Sequence, residues 1–290
     1  MCHIIHGQTA AKTKCRYGLL RHPIREIEMI FETHAHYDDK QFDKDREALL
    51  SSMPENGIDT IVNVGASLSS TAAGIALAQQ YAYVYAAAGV HPNETGELNE
   101  ENFCWLREQC KHPKVVAVGE IGLDYYWDKP EHDIQKKWFV RQLELAREIN
   151  KPVIIHSREA AKDTYDIMKA NNAAEVGGVV HCYSYSTELA LEFVKMGFYI
   201  GIGGVVTFQN AKKMVEVVAS VPLEHLLLET DCPYLAPVPN RGKRNSSLNL
   251  PYIAQKIAEI KGVLYNEVVE ITAQNARKMY RLDNTQYKKE

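Results

Sequence analysis

Among the 290 residues there is no CxxC pair, no low-complexity stretch, no excess of positive charge, and no apolar run approaching the roughly 18 residues that cross a bilayer. Each absence removes a class. Six scattered cysteines (Cys2, Cys15, Cys104, Cys110, Cys182 and Cys232) without metal-ligand spacing read as reduced intracellular thiols, not as a disulfide framework or a Cys-rich zinc site. With no long apolar run and no h-region beside the N-terminal basic residues, neither a membrane span nor a secretory signal is expected, and the expected location is cytoplasmic. A formal net charge of −4 is wrong for a nucleic-acid coat protein. It still allows an enzyme that grips nucleic acid locally, because bound divalent cations add charge that the count omits.

What is present is an alternation of short apolar runs with longer amphipathic ones. Strands are predicted at 29–33, 59–65, 83–90, 115–122, 152–157, 178–182, 198–204 and 225–231. Val, Ile, Leu and Tyr dominate them, and several are almost continuously apolar, the pattern of parallel strands buried on both faces. Helical stripes follow at 131–150, 158–171, 187–196 and 210–218, with two more at 250–260 and 266–279. Alternation of this kind implies right-handed parallel crossovers. Eight such units in one chain of this length predict an α/β fold, a single-domain (β/α)8 TIM barrel over 29–290, with an open doubly wound sheet as the alternative. Residues 1–28 show no clear period and are expected to form a poorly ordered N-terminal extension; Cys2, His3, His6 and Cys15 match no common metal site, and Met29 is a candidate start.

The polar residues that interrupt the apolar runs fall at one place in each unit. His34 and His36 form a His-x-His pair after the first run, with both side chains on one face of an extended chain. Glu120 lies near the end of the fourth run, His156 ends the fifth, His181 the sixth and Asp231 the eighth. A single strand-end histidine is more often a hydrogen-bonded core residue. Five runs delivering His, Glu or Asp to the C-terminal rim of a barrel, where active sites lie, are better explained as one site. Nitrogen and carboxylate ligands without thiolate suit hard or borderline cations, and six ligands suit two divalent ions (Mg2+, Mn2+ or Zn2+) sharing a carboxylate. Cys182 and Cys232 each follow a ligand, and strand alternation would turn both toward the helical layer.

These residues lie in segments that together resemble the TatD family of metal-dependent deoxyribonucleases, in the amidohydrolase-like superfamily of barrels. The segments are ETHAHYD (32–38), GVHP (89–92), VGEIGLDYY (118–126), PVIIHSRE (152–159), VVHCYSYS (179–186), LLLETDCPYLAP (226–237), NRGKRN (240–245) and NARKMY (275–280). Glu32 stands where many relatives carry Asp, Ala35 where Cys is frequent, and YSYS where relatives often read FSG; the lost glycine bears on the loop over the site. The resemblance implies that His34, His36, Glu120 and Asp231 hold one ion, and that Glu120, His156 and His181 hold the second, with Glu120 bridging. It also implies nuclease activity on DNA, commonly 3′-to-5′ exonucleolytic and favouring single strands.

Chemistry assigns further roles. Asp231, at the rim, is expected to act as ligand and general base, and Glu120, which the resemblance makes the bridging ligand, is expected to be the second catalytic carboxylate. Glu229, two residues back on the same strand, is expected to orient a liganding histidine. His91, ending the third run, is a candidate donor to the scissile phosphate or the leaving group. Arg158 is a candidate phosphate clamp, or alternatively a cap or salt-bridge partner within the following helix. Arg241, Lys243 and Arg244 surround Gly242 in a loop after the eighth strand and are expected to hold backbone phosphates. Tyr125, Tyr126 and Tyr183 are candidates to stack on unpaired bases. A dimetal amidohydrolase or esterase of a small molecule is the alternative; no lysine ends the fourth run, where some relatives carry a carbamylated bridge. No obligate protein partner and no membrane contact are inferred.

Overall fold

A computed structural model describes residues 29–282; the expectation for residues 1–28 lies outside the described residues. Eight parallel strands run in chain order: β1 (Ile30–Ala35), β2 (Ile58–Val64), β3 (Val84–Ala88), β4 (Val115–Asp124), β5 (Val153–Arg158), β6 (Gly178–Val180), β7 (Phe198–Ile202) and β8 (Leu226–Leu228). The last returns to the first through a bridge between Ala35 and Cys232. Two backbone bonds flank it, Asp231 N–H to the His34 carbonyl at 2.9 Å and His36 N–H to the Cys232 carbonyl at 2.8 Å. The barrel therefore nearly closes at the residues expected to bind metal.

Helices cover the outside: α1 (Arg46–Ser51), α2 (Leu68–Gln80), α3 (Glu100–Gln109), α4 (His132–Glu148), α5 (Ala161–Ala170), α6 (Thr187–Lys195), α7 (Lys212–Ser220), α8 (Leu250–Lys261) and α9 (Tyr265–Tyr280). Local chemistry sets several boundaries. Ser67 and Ser186 cap α2 and α6 by accepting from backbone N–H groups, Asn99 and Asn102 form a reciprocal capping box on α3, and left-handed Gly262 ends α8. The helix expected at 158–171 starts later, because β5 runs on to Arg158 and Glu159 turns through φ +54°.

Two cores result. The larger lies between strands and helices. In the second, every strand contributes at least one residue (Phe31, Val62 and Val64, Ala87, Val116 and Ala117, Ile154, Val179, Tyr199 and Leu227), packed with Ala273, Ala276, Met279 and Tyr280 of α9. This is the barrel interior, and α9 plugs one end of it. Asn275 of α9 donates to the carbonyls of Leu223 and Leu226, at the start of β8, so the plugged end is the N-terminal one. The C-terminal end is left open for chemistry.

Candidate metal centre

At the open end the strand termini converge. His34 lies in β1, His36 directly follows it, and their Nε2 atoms approach to 3.1 Å. One ring can donate its N–H to the other's lone pair across this gap, and with both lone pairs free the two nitrogens could instead hold a shared cation. The His36 Nδ1 lies 2.8 Å from the Val64 carbonyl, which can only accept. The Nδ1–H tautomer this bond selects leaves Nε2 free to ligate, the arrangement typical of metal-binding histidines.

Glu120, buried in β4, turns its two oxygens to different groups. Oε2 lies 3.5 Å from His34 Nε2 and 3.8 Å from His36 Nε2; Oε1 lies 2.9 Å from His156 Nδ1 and 2.5 Å from His181 Nε2. Asp231 Oδ1 lies 3.3 Å from His36 Nε2 and 3.7 Å from His34 Nε2. His34, His36 and Glu120 form one group compatible with a cation; Glu120, His156 and His181 form another; His34, His181 and Asp231 form a third. Glycine makes some of this approach possible. A Cβ on Gly122 would fall 1.9 Å from the His156 carbonyl oxygen, and one on Gly201 would fall 2.3 Å from Glu229 Oε2.

The electrostatics match the donor set. Burial opposes charge on every imidazole here. It prevails at His34, whose pKa falls to about 4. At His36 the hydrogen bond and charge of Asp231 outweigh it and push the pKa up to about 10; at His156, Asp124 and Glu120 push it up to about 9. Burial likewise opposes charge on Glu120, but the neighbouring imidazoles hold its carboxyl well below the usual range. Buried carboxylates thus call for positive charge at the points where a divalent cation would sit, and the residues fit bound metal ions.

His91, which follows β3, points its Nε2 toward Glu120 Oε1 at 3.8 Å, while its Nδ1 accepts the Asn93 N–H at 3.1 Å. With the Nδ1 lone pair engaged, the neutral ring carries its proton on Nε2 and presents a donor to the site; deprotonated there, it would join Asp124 and His156 as a fourth group compatible with a cation. Burial pulls its pKa down to about 3, so neutral is its resting form.

Several expectations change in three dimensions. Glu229 Oε1 stays 3.9 Å from His181 Nδ1, too far for a hydrogen bond, and takes the Cys182 N–H at 2.5 Å instead. Cys182 lies past the end of β6 with φ +44°, so strand alternation does not direct it. Burial, and after it the charges of Asp231, Glu229 and Glu120, raise its thiol pKa. Cys232 is fully buried. Tyr183 is buried too, its hydroxyl donating to the Ser186 carbonyl, and is not available for stacking. Tyr125 stacks on His132 and donates to Asp163. Arg158 does not cap α5, whose N-cap is Ala160; its guanidinium lies 3.7 Å over the Tyr126 ring.

In the basic loop, Arg241 lies over Phe208 at 4.3 Å and Lys243 reaches Asn240 at 3.4 Å, both exposed. Arg244 is engaged bidentately by Asp45 at 2.7 and 2.6 Å. Sequence reasoning passed over Asp124, the last residue of β4. Its Oδ2 lies 3.3 Å from His156 Nε2 and accepts from Asn93 Nδ2, placing a carboxylate behind a candidate ligand. Its spacing of four from Glu120 within one strand is the signal that could have found it.

Residues 31–281 match the family described as TatD related DNase. The chain is 44% identical over 255 residues to the uncharacterized metal-dependent hydrolase YabD of Bacillus subtilis (strain 168), covering 88% of this chain and 100% of that one. It is 34% identical over 258 residues to the uncharacterized metal-dependent hydrolase YcfH of Escherichia coli (strain K12), covering 88% and 96%. The crystal structure of YjjV, a TatD homolog from Escherichia coli K12, superposes with a TM-score of 0.84 at 32% identity, over 89% of this chain and 100% of that one.

Proposed function

The chain belongs to the TatD-related DNase family of metal-dependent hydrolases, and on that premise we propose that it hydrolyses phosphodiester bonds of DNA with a pair of divalent cations. The observation that carries this reading is Glu120, whose two oxygens face separate groups of imidazoles. His34, His36, Glu120 and Asp231 would hold one ion; Glu120, His156 and His181 would hold the other, as Mg2+, Mn2+ or Zn2+. Bound there, the ions would lower the pKa of an attacking water and offset the charge that grows on the phosphoryl oxygens.

The remaining work falls to the chain. Asp231 is the more exposed of the two carboxylates, its side chain 17% accessible against 4% for Glu120, so it is the one that meets an incoming water and accepts its proton. His91 Nε2–H donates to a phosphoryl oxygen or to the departing alkoxide. Arg158, two residues beyond His156, holds a phosphate from the β5 side; Arg241 and Lys243 hold the strand from the β8 side. Arg244 acts there mainly by fixing the loop, since Asp45 already occupies its fork. The family likeness favours 3′-to-5′ removal of nucleotides from single strands by a cytoplasmic enzyme. Among the described residues no helix is long and apolar enough to cross a membrane.

To test this, metal-loaded protein is incubated with end-labelled single- and double-stranded oligonucleotides, and separately with a panel of small amides and esters. Progressive shortening of the single strand is expected. Turnover of an amide or ester with every oligonucleotide left intact would overturn the reading in favour of a small-molecule hydrolase.

A further inference from the structure

The loop from β4 to α4 holds two aromatic residues out of the core. Trp127 is 52% exposed and Tyr126 49%. Their rings meet edge to face, with centroids 4.9 Å apart at 88°, so each restrains the other. The Arg158 guanidinium covers one face of Tyr126 and makes no ion pair among the described residues. Beside them is an open depression of about 520 Å3, lined by Asn93, Trp127, Asp128 and Lys129. An exposed indole forms one wall, and an amide, a carboxylate and a cation form the others.

Both walls are tied to the metal centre. Asp124 Oδ1 accepts the Tyr126 N–H at 3.0 Å, while its Oδ2 faces His156 Nε2 and accepts from Asn93 Nδ2, each at 3.3 Å. Asn93 also gives its backbone N–H to His91 Nδ1. One carboxylate and one amide thus hold the depression in register with a candidate ligand and with the candidate donor to the reacting phosphate.

We propose that this depression holds an unpaired nucleobase of the strand being cut, stacked on Trp127, with Lys129 and Arg158 beside the flanking phosphates. The inference rests on the phosphodiesterase reading above and adds the subsite that would make it select single strands. A base inside a duplex has both faces covered by its neighbours and must unstack before it reaches the indole, at a cost a free strand does not meet.

The test compares wild type, Trp127→Ala and Trp127→Phe as full chains loaded with Mn2+. The substrates are a thymidylate 15-mer and a wholly abasic 15-mer of the same backbone. In Trp127→Ala, KM for the thymidylate strand should rise about tenfold, with kcat held within about twofold and the abasic strand unaffected. Trp127→Phe, which keeps a π face, should recover most of the loss. An unchanged KM, or equal losses on both strands, would overturn the stacking role and leave the phosphodiesterase reading standing. If wild type cleaves neither strand, that reading falls and the subsite falls with it.

Discussion

Three lysines at the N-terminal end of the barrel answer the backbone; the histidines and carboxylates crowded at the C-terminal end mostly answer one another. At the plugged end Lys114 donates to the carbonyls of Tyr81, Ala82 and Val84, Lys151 to those of Cys110 and Val115, and Lys261 to those of Ala219 and Val221. Burial lowers the pKa of all three, and the carbonyls they bind lie at the C-terminal ends of α2, α3 and α7 and at the starts of β3 and β4. At the open end His34, His36, Glu120, His156, His181 and Asp231 crowd together with no lysine or arginine among their ion-pair partners. Asp231 also sits at φ +56°, a sparsely populated backbone region. One end is built to be satisfied without a ligand. The other is left unsatisfied so that a ligand completes it.

The sharpest way to separate the ends is to remove metal. Chelation with EDTA should take hydrolysis to background, and Mg2+ or Mn2+ should restore it; full activity in a stripped sample would mean that the crowded end needs no cation. Next in size is Asp231→Asn. It keeps the shape and tolerates the left-handed backbone, but removes the charge that holds a cation and accepts a proton. A rate loss of about 10²-fold or more is expected, with the metal-free protein still folding cooperatively but melting somewhat lower, because the His36 partner is lost.

Changes at the other end should act in reverse. Lys151→Met strands carbonyls and should cost about 2 kcal/mol of stability by urea titration, with kcat of the folded fraction unchanged. A loss of kcat without a loss of stability would break the division between the ends. The smallest effect belongs to the rim. Arg241→Ala with Lys243→Ala should raise KM for DNA a few-fold and flatten its salt dependence by up to about two counterions. The same pair should leave bis-p-nitrophenyl phosphate turnover alone; an equal loss on that substrate would tie the loop to the reacting centre.

Much of this division could be read in advance. The apolar runs marked all eight strands, and the polar residues interrupting them marked the open end, because a buried strand tolerates His, Glu or Asp only where something answers it. Boundaries were harder. β6 and β8 are three residues each, so His181 and Asp231 lie beyond the strands expected to end on them, whereas β4 continues to Asp124 past Glu120. Pairing across the sheet sets these ends, and β4 shifts register against β5 between Val118 and Ile121. A local pattern carries no such information.

The order of elements, the barrel class and the identity of the converging groups were determined by the sequence alone, since periodicity and residue chemistry are local properties. Tertiary structure alone decided the rest, because each remaining feature joins residues far apart in the chain. The plug formed by α9 depends on a stripe that reads like any amphipathic helix until Tyr280 stacks on Phe31 inside the barrel. The fork of Arg244 closes on Asp45, 199 residues away. Tyr183 is buried and Trp127 exposed although both follow strand ends, because the surrounding packing covers one and leaves the other beside an open depression. The proton on His91 Nε2 is set by a backbone N–H two residues on, a bond that exists only once the chain turns there into its short 3-10 helix.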